Sequence, residues 1–166
     1  MAQVTQLKVE PETRQTHKLS IILSKGSLDM AYPAFMLATA GAAMGTEVHV
    51  FFTFWGIDVI TRKKEANLKV APVGNPGLPM PNILGMLPGM TAMATRSMKG
   101  KIKGLKIPSI PEMITNAHDM GVHLHACSTT MELMGVKKED LVPEIDDVVG
   151  AASFLQLSES GQTIFI

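Results

Sequence analysis

Cysteine is nearly missing from this sequence: Cys127 is the single one in 166 residues, beside one tryptophan and one tyrosine. A lone cysteine excludes an intramolecular disulfide and points to a reducing compartment, so a cytoplasmic address is expected. An excess of charge of either sign is missing too. Lys plus Arg match Asp plus Glu at 15 each, which leaves no bulk field for nucleic acid, and no nucleic-acid partner is expected. After the first apolar run the chain reads "GSLDMA", without the repeated glycines that let a backbone approach pyrophosphate, so no nucleotide fingerprint and no cofactor is expected. The start, "MAQVTQLKVEPETRQTHK", has no apolar stretch of the kind a secretory signal needs, and residues 1–16 are expected to form a flexible tail before a single domain over 17–166. No paired carboxylates for acid/base work stand out. Glu132, Glu139, Asp140, Glu144, Asp146 and Asp147 fall at capping or exposed polar positions, and the run from Lys137 to Asp147 reads as a solvated connection.

What is present is a rhythm of strand and helix. "KLSIILS" (18–24) is a short β-branched and Leu run ending at the Lys25-Gly26 turn, as in a strand buried on both faces. Residues 29–44 are Ala- and Met-rich, with Ser27 or Asp29 to cap the start and Gly45 to stop the end, and predict a helix. "EVHVFFTFW" (47–55) predicts the second strand, closed by Gly56. "SIPEMITNAHDMG" (109–121) predicts a helix with Pro111 in its first turn, feeding a third strand, "VHLHAC". A helix after Cys127, another over 147–161 and a closing strand "QTIFI" complete the pattern. The fold class predicted is α/β: a Rossmann-like open, mainly parallel sheet between helices.

One segment breaks the rhythm. Between Lys69 and Arg96 there is no charged residue, yet the stretch holds Pro72, Pro76, Pro79, Pro81 and Pro88 and the methionines Met80, Met86, Met90 and Met93. Uncharged length suggests a membrane span; five missing backbone donors argue against one. The segment at about 69–104 reads instead as an insertion carrying a Met-rich amphipathic helix with a basic tail from Lys99 to Lys103. Packing as an inserted helix or across an oligomer interface is the favoured reading, with docking on a partner or membrane surface open beside it. Copper(I) on Met90 and Met93 is a minor alternative.

Ligands of open parallel sheets collect at the carboxyl ends of the strands, where the third strand delivers Cys127. Thr129 as N-cap with Glu132 three residues on forms a capping box, and Ser128 or Thr130 could cap instead. The free N–H groups of such a first turn favour thiolate over thiol. Free cysteine is as often a small buried packing residue, so position alone leaves the two readings even. His123, His125 and Cys127 alternate and share one face. They could hold a metal, or His125 could tune the thiol, or the histidines could only pack.

Four stretches together carry a resemblance: "SKGSLDMAYPAFMLA", "FFTFWG", "HACSTTMELMGVKKEDL" and "GAASFLQLSESGQTIFI". Over Lys18 to Ile166 the chain resembles the DsrE/DsrF-like sulfurtransferase superfamily, and within it the branch with the Phe-Phe-Thr-Phe-Trp-Gly signature and a long insertion after the second strand. The resemblance implies a flavodoxin-like three-layer sandwich that assembles into a homo-oligomer, a trimer or tetramer. It also implies sulfur trafficking, with persulfide or thiosulfonate sulfur carried on Cys127 and exchanged with TusA-like carriers or disulfide reductase partners. No metal is implied. Topology and resemblance together place Ser24, Gly26, Thr53, Phe54, Trp55, His125, Ser128 and Thr129 around the thiol, with Trp55 as a shield. Some relatives carry further cysteines; here Cys127 stands alone, so turnover must use an outside thiol, and the assignment leans to a carrier or sulfurtransferase. Two other classes stay open: a non-catalytic oligomeric binding module whose Met-rich insertion docks a partner or membrane surface, and a thiol redox sensor.

Overall fold

The structure, a computed structural model, describes residues 17–71 and 89–166. The expected tail 1–16 lies outside the described residues, as do Pro72, Pro76, Pro79, Pro81, Pro88, Met80 and Met86 of the insertion.

Five strands form one parallel sheet: β1 (Lys18–Leu23), β2 (Glu47–Phe52), β3 (His123–Cys127), β4 (Asp147–Val149) and β5 (Gln162–Phe165), in the order β4-β3-β2-β1-β5. Helix α1 (Leu28–Ala43) joins β1 to β2, and α2 (Met90–Gly104) and α3 (Ile110–Asp119) lie between β2 and β3. After β3 come α4 (Ser128–Met134) and then α5 (Ala151–Leu157), which carries the chain from β4 back to β5 beside β1. The α/β fold with its parallel sheet is as the alternation predicts.

Alternation along each strand sorts the two faces. Ile21, Leu23, Val48, Val50, Phe52, Leu124 and Ala126 point to one side and join Ala31, Phe35, Ala38 and Ile114 of α1 and α3 in the main core. Full burial of each large side chain there contributes roughly 1.5–3 kcal/mol. Ile22, Phe51 and Cys127 face the other side, where Phe154 of α5 closes a smaller cluster. With both faces covered, β2 reads as a continuous apolar run broken by His49.

Several local expectations are corrected. The second strand stops at Phe52 rather than Trp55, because Phe54 takes φ 46 and a 3-10 helix runs from there to Ile60. The 147–161 segment is not one helix: Val148 and Val149 pair with Ala126 and Cys127 at the sheet edge, and Gly150 caps the helix that follows. The N-cap of α4 is Cys127 itself, so the Thr129–Glu132 capping box does not form. That device occurs instead at Ser109 and Glu112 of α3. Ser27 stands at the N-cap of α1, but only its carbonyl is used, accepting from Met30 and Ala31 N–H. Asp29 accepts from Ala71 N–H (2.9 Å) rather than capping. The connection from Lys137 to Asp147 is partly internal: Leu141 and Val142 are buried, and Asp146 Oδ2 accepts from Leu124 N–H at 2.7 Å.

Candidate functional site

Cys127 ends β3 and begins α4, at the carboxyl edge of the sheet. Its side chain lies beneath Phe154 and Phe51, whose rings stack at 4.5 Å and 14°, and only 5% of the residue is exposed. Burial alone would push the thiol up. Hydrogen bonding by the Thr130 hydroxyl and N–H, the Thr53 hydroxyl and the Thr129 N–H outweighs it, and the pKa lies below the ordinary thiol value. No charged group is among the causes. What favours the thiolate here is oriented dipoles alone.

Thr130 organises this cradle. Phe54 N–H donates to Thr130 Oγ1 (3.0 Å), and the Thr53 and Thr130 hydroxyl oxygens are 3.1 Å apart. With its oxygen accepting from the backbone, the Thr130 hydroxyl hydrogen is free to point at sulfur. Phe54 can donate there because of its left-handed backbone, a conformation that costs a non-glycine residue on the order of 1 kcal/mol. The strain sits at the rim of the thiol. Local sequence offers Thr130 only as an alternative cap, because the partners of its Oγ1 are 76 and 77 residues away in the chain.

The other expected residues divide. Thr53 and Thr129 reach the sulfur. Phe54 and Trp55 form an exposed apolar rim, 56% and 64% accessible, so Trp55 stands at the edge rather than over the thiol. Gly26 is required by contact: a Cβ there would lie 2.2 Å from Trp55 O, so the loop after β1 presses directly on the rim. Ser128 is half-buried beside Gly150. Ser24 is turned elsewhere, its N–H (2.8 Å) and Oγ–H (3.0 Å) both donating to Ile166 O. His125 also turns elsewhere, to His49 (3.0 Å), and no histidine contributes to the shift of the thiol. Among the described residues no group of three or more His, Cys, Asp or Glu is placed to hold a metal ion. Met93 of α2 is exposed. Among the described residues no helix is long and apolar enough to cross a membrane.

A neutral cradle around one thiol of lowered pKa, with an apolar rim and no second thiol, suits reversible exchange at sulfur. Comparison with known proteins agrees in kind. The chain is 42% identical over 158 residues to the sulfur carrier protein DsrE2 of Allochromatium vinosum, covering 90% of this chain and 98% of that protein. It is 32% identical over 161 residues to the YrkE protein of Bacillus subtilis, covering 90% and 96%. Among solved structures, a protein of unknown function from Methanobacterium thermoautotrophicum superposes with a TM-score of 0.57 at 14% identity, over 90% of this chain and 99% of that one. The ychN protein of E. coli gives 0.56 at 12% identity, again over 90% and 99%. These two show a shared fold. The model of the DsrE/DsrF/DrsH-like family matches residues 15–165, and the chain belongs to that family.

Proposed function

We propose that the protein is a sulfur carrier whose single thiolate, Cys127, takes up sulfane sulfur and hands it on. The observation that carries this reading is the sulfur's position at the end of β3, lowered in pKa by Thr53, Thr129 and Thr130 without help from any charge. Kinship to a protein named as a sulfur carrier supports it.

The exchange balances without an external oxidant. The Cys127 thiolate attacks the outer sulfur of a donor persulfide, the donor S–S bond breaks, and the donor thiolate leaves. The product is a Cys127 persulfide, whose outer sulfur is then attacked by an acceptor thiolate while Cys127 departs as thiolate. A thiosulfonate cargo follows when the Cys127 thiolate attacks the central S–S bond of tetrathionate and thiosulfate leaves; thiosulfate itself, attacked at its outer sulfur with sulfite leaving, gives the persulfide. The two hydroxyls and two N–H groups serve the inner sulfur both as nucleophile and as leaving group. Phe54 and Trp55 offer an apolar rim to the exchanging protein. In this reading the partners are TusA-like carriers and disulfide reductases, and the chain acts as a homo-oligomer, a trimer or tetramer, in the cytoplasm.

Intact-mass measurement after incubation with tetrathionate, thiosulfate or polysulfide tests the proposal. Wild type is expected to gain a reductant-reversible adduct that Cys127→Ser does not. Folded protein that gains none from any donor overturns the carrier reading and leaves the binding-module reading in its place.

A further inference from the structure

On the face of the sheet away from α5, the carboxyl half of α2, the start of α1 and the start of α3 border a cleft of about 680 Å³. Its volume is in the range of small-molecule sites. Leu28 and Ile110 form a buried apolar floor, and Ile102, Ile107 and Pro108 continue it up the walls. Tyr32 O–H donates to Pro108 O (3.0 Å) and ties the two sides together.

The mouth is cationic. Lys99, Lys103 and Lys106 line the cleft, and an adjoining groove shares Lys99 and adds Lys69 and Arg96. Arg96, Lys99 and Lys103 recur at helical spacing and so share one side of α2. The sequence has no Asp or Glu from 66 to 111 but has Lys69, Arg96, Lys99, Lys101, Lys103 and Lys106 there. Among the described residues no carboxylate pairs with any of the five that line the two grooves. Two carboxylates do border the cleft. Glu112 accepts from Ser109 N–H and Oγ–H, both at 2.7 Å, and the Oε2 of Glu65 is buried without a partner among the described residues. Neither forms an ion pair with the lysines, which outnumber them three to two around the cleft. In a chain of zero net charge, this is a local excess of cations without a carboxylate partner among the described residues, at the edge of a recessed apolar floor; Lys99 Nζ spends one of its three donors on Ala66 O (3.0 Å).

We propose that this cleft binds a small amphiphilic anion, its carboxylate or sulfonate head held by Lys99, Lys103 and Lys106 and its apolar chain lying over Leu28, Ile102 and Ile110. The floor is recessed rather than protruding, which suits a single enclosed chain better than a bilayer surface. The site is separate from the Cys127 thiol and does not depend on the carrier reading.

Calorimetric titration of the full chain with decanoate, decanol and acetate tests it. Decanoate should bind at least about tenfold more tightly than decanol, which lacks the charge, and than acetate, which lacks the chain. Added salt should weaken decanoate binding. Lys103 and Lys106 are exposed, so Lys103→Glu/Lys106→Glu should fold normally and lose about tenfold or more in affinity, by reversal of the charge at the mouth. Cys127→Ser and the distant Lys137→Glu should bind as wild type. Equal affinity for decanoate and decanol, an unchanged Lys103→Glu/Lys106→Glu, no decanoate binding, or binding only to vesicles of anionic phospholipid would each overturn the proposal.

Discussion

His49 Nδ1 lies 3.0 Å from His125 Nε2 across the β2–β3 pair, while His49 Nε2 lies 2.8 Å from Glu47 Oε1. An ionised Glu47 only accepts, so His49 carries its proton on Nε2, accepts at Nδ1, and receives the Nε2–H of His125. His125 Nδ1 is then bare, and it is buried without a partner among the described residues. A proton added there would be out of water, with His49 and His123 stacked alongside at 5.3 and 6.4 Å. Burial first, and then His49, lowers the His125 pKa to about 4, against the opposing pull of Asp146 and Asp147.

Stability should therefore fall in mild acid. The folded value lies below the ordinary 6.5, so the unfolded chain takes up the proton first. The contribution of neutral His125 is complete above 6.5, declines as pH drops through the interval, and is exhausted near 4. Denaturant titrations at about pH 7 and about pH 4.5 should show wild type losing on the order of 2–3 kcal/mol more than His125→Gln. Equal losses in the two proteins would refute the assignment.

Thr130→Val removes a hydroxyl from the sulfur while keeping the shape of the side chain. The thiol pKa should rise, and alkylation by iodoacetamide near neutral pH should slow by roughly three- to tenfold because only the thiolate reacts. Phe54 N–H also loses its acceptor, at a cost of about 1 kcal/mol in stability. Thr130→Ser should restore both. A rate against pH that has the same midpoint in wild type and Thr130→Val would remove Thr130 from the site.

Gly26→Ala and Gly56→Ala separate the rim from the scaffold. A Cβ at Gly56 would meet Leu23 O at 2.0 Å, so the whole 3-10 segment must lift from the end of β1. Gly56→Ala should cost about 2–4 kcal/mol. At Gly26 the clash is with Trp55 O at 2.2 Å, and displacement of Trp55 carries Thr53 and Phe54 with it. Gly26→Ala should slow sulfur uptake by Cys127 in a donor time course by more than its change in melting temperature accounts for. Uptake at the wild-type rate would show that the rim does not position the thiol.

Phe154→Ala should unroof the sulfur. Phe154 is the one fully covered residue of the seven-residue α5, and its ring stacks on Phe51 above Cys127. Its truncation should destabilise the protein by about 3–5 kcal/mol and raise the alkylation rate of Cys127 in the protein that remains folded. Slower or unchanged alkylation would mean that α5 does not shield the thiol.

The sequence is informative where structure follows from near neighbours. Short apolar, β-branched runs locate β1 and β5, alternation marks β3, and Ser109, Pro111 and Gly121 bracket α3 closely, because strand period, capping and turn chemistry operate over a few residues. Local signals mislead where a distant contact wins. Phe54 and Trp55 have the side chains of a strand, yet the close approach of Gly26 and Gly56 to the 3-10 turn takes them out of it. Val148 and Val149 join a helical pattern by sequence, and the open edge of β3 claims them. Ser24 sits at the β1–β5 crevice, where a ligand is expected at the strand reversal, and bonding to Ile166 O fills it.

From the sequence by itself come the α/β alternation, the family resemblance and a lone thiol at the carboxyl end of the third strand, since each depends on residues adjacent in the chain. Only the tertiary structure decides what surrounds that thiol. Thr53 meets Thr130 across 77 residues, His49 rather than Cys127 takes His125 across 76, and α2 meets α3 around a cleft with a cationic mouth. Hydrogen bonds and charge concentrations between distant segments leave no periodicity to read; they exist once the sheet has set its register and the helices have packed on it.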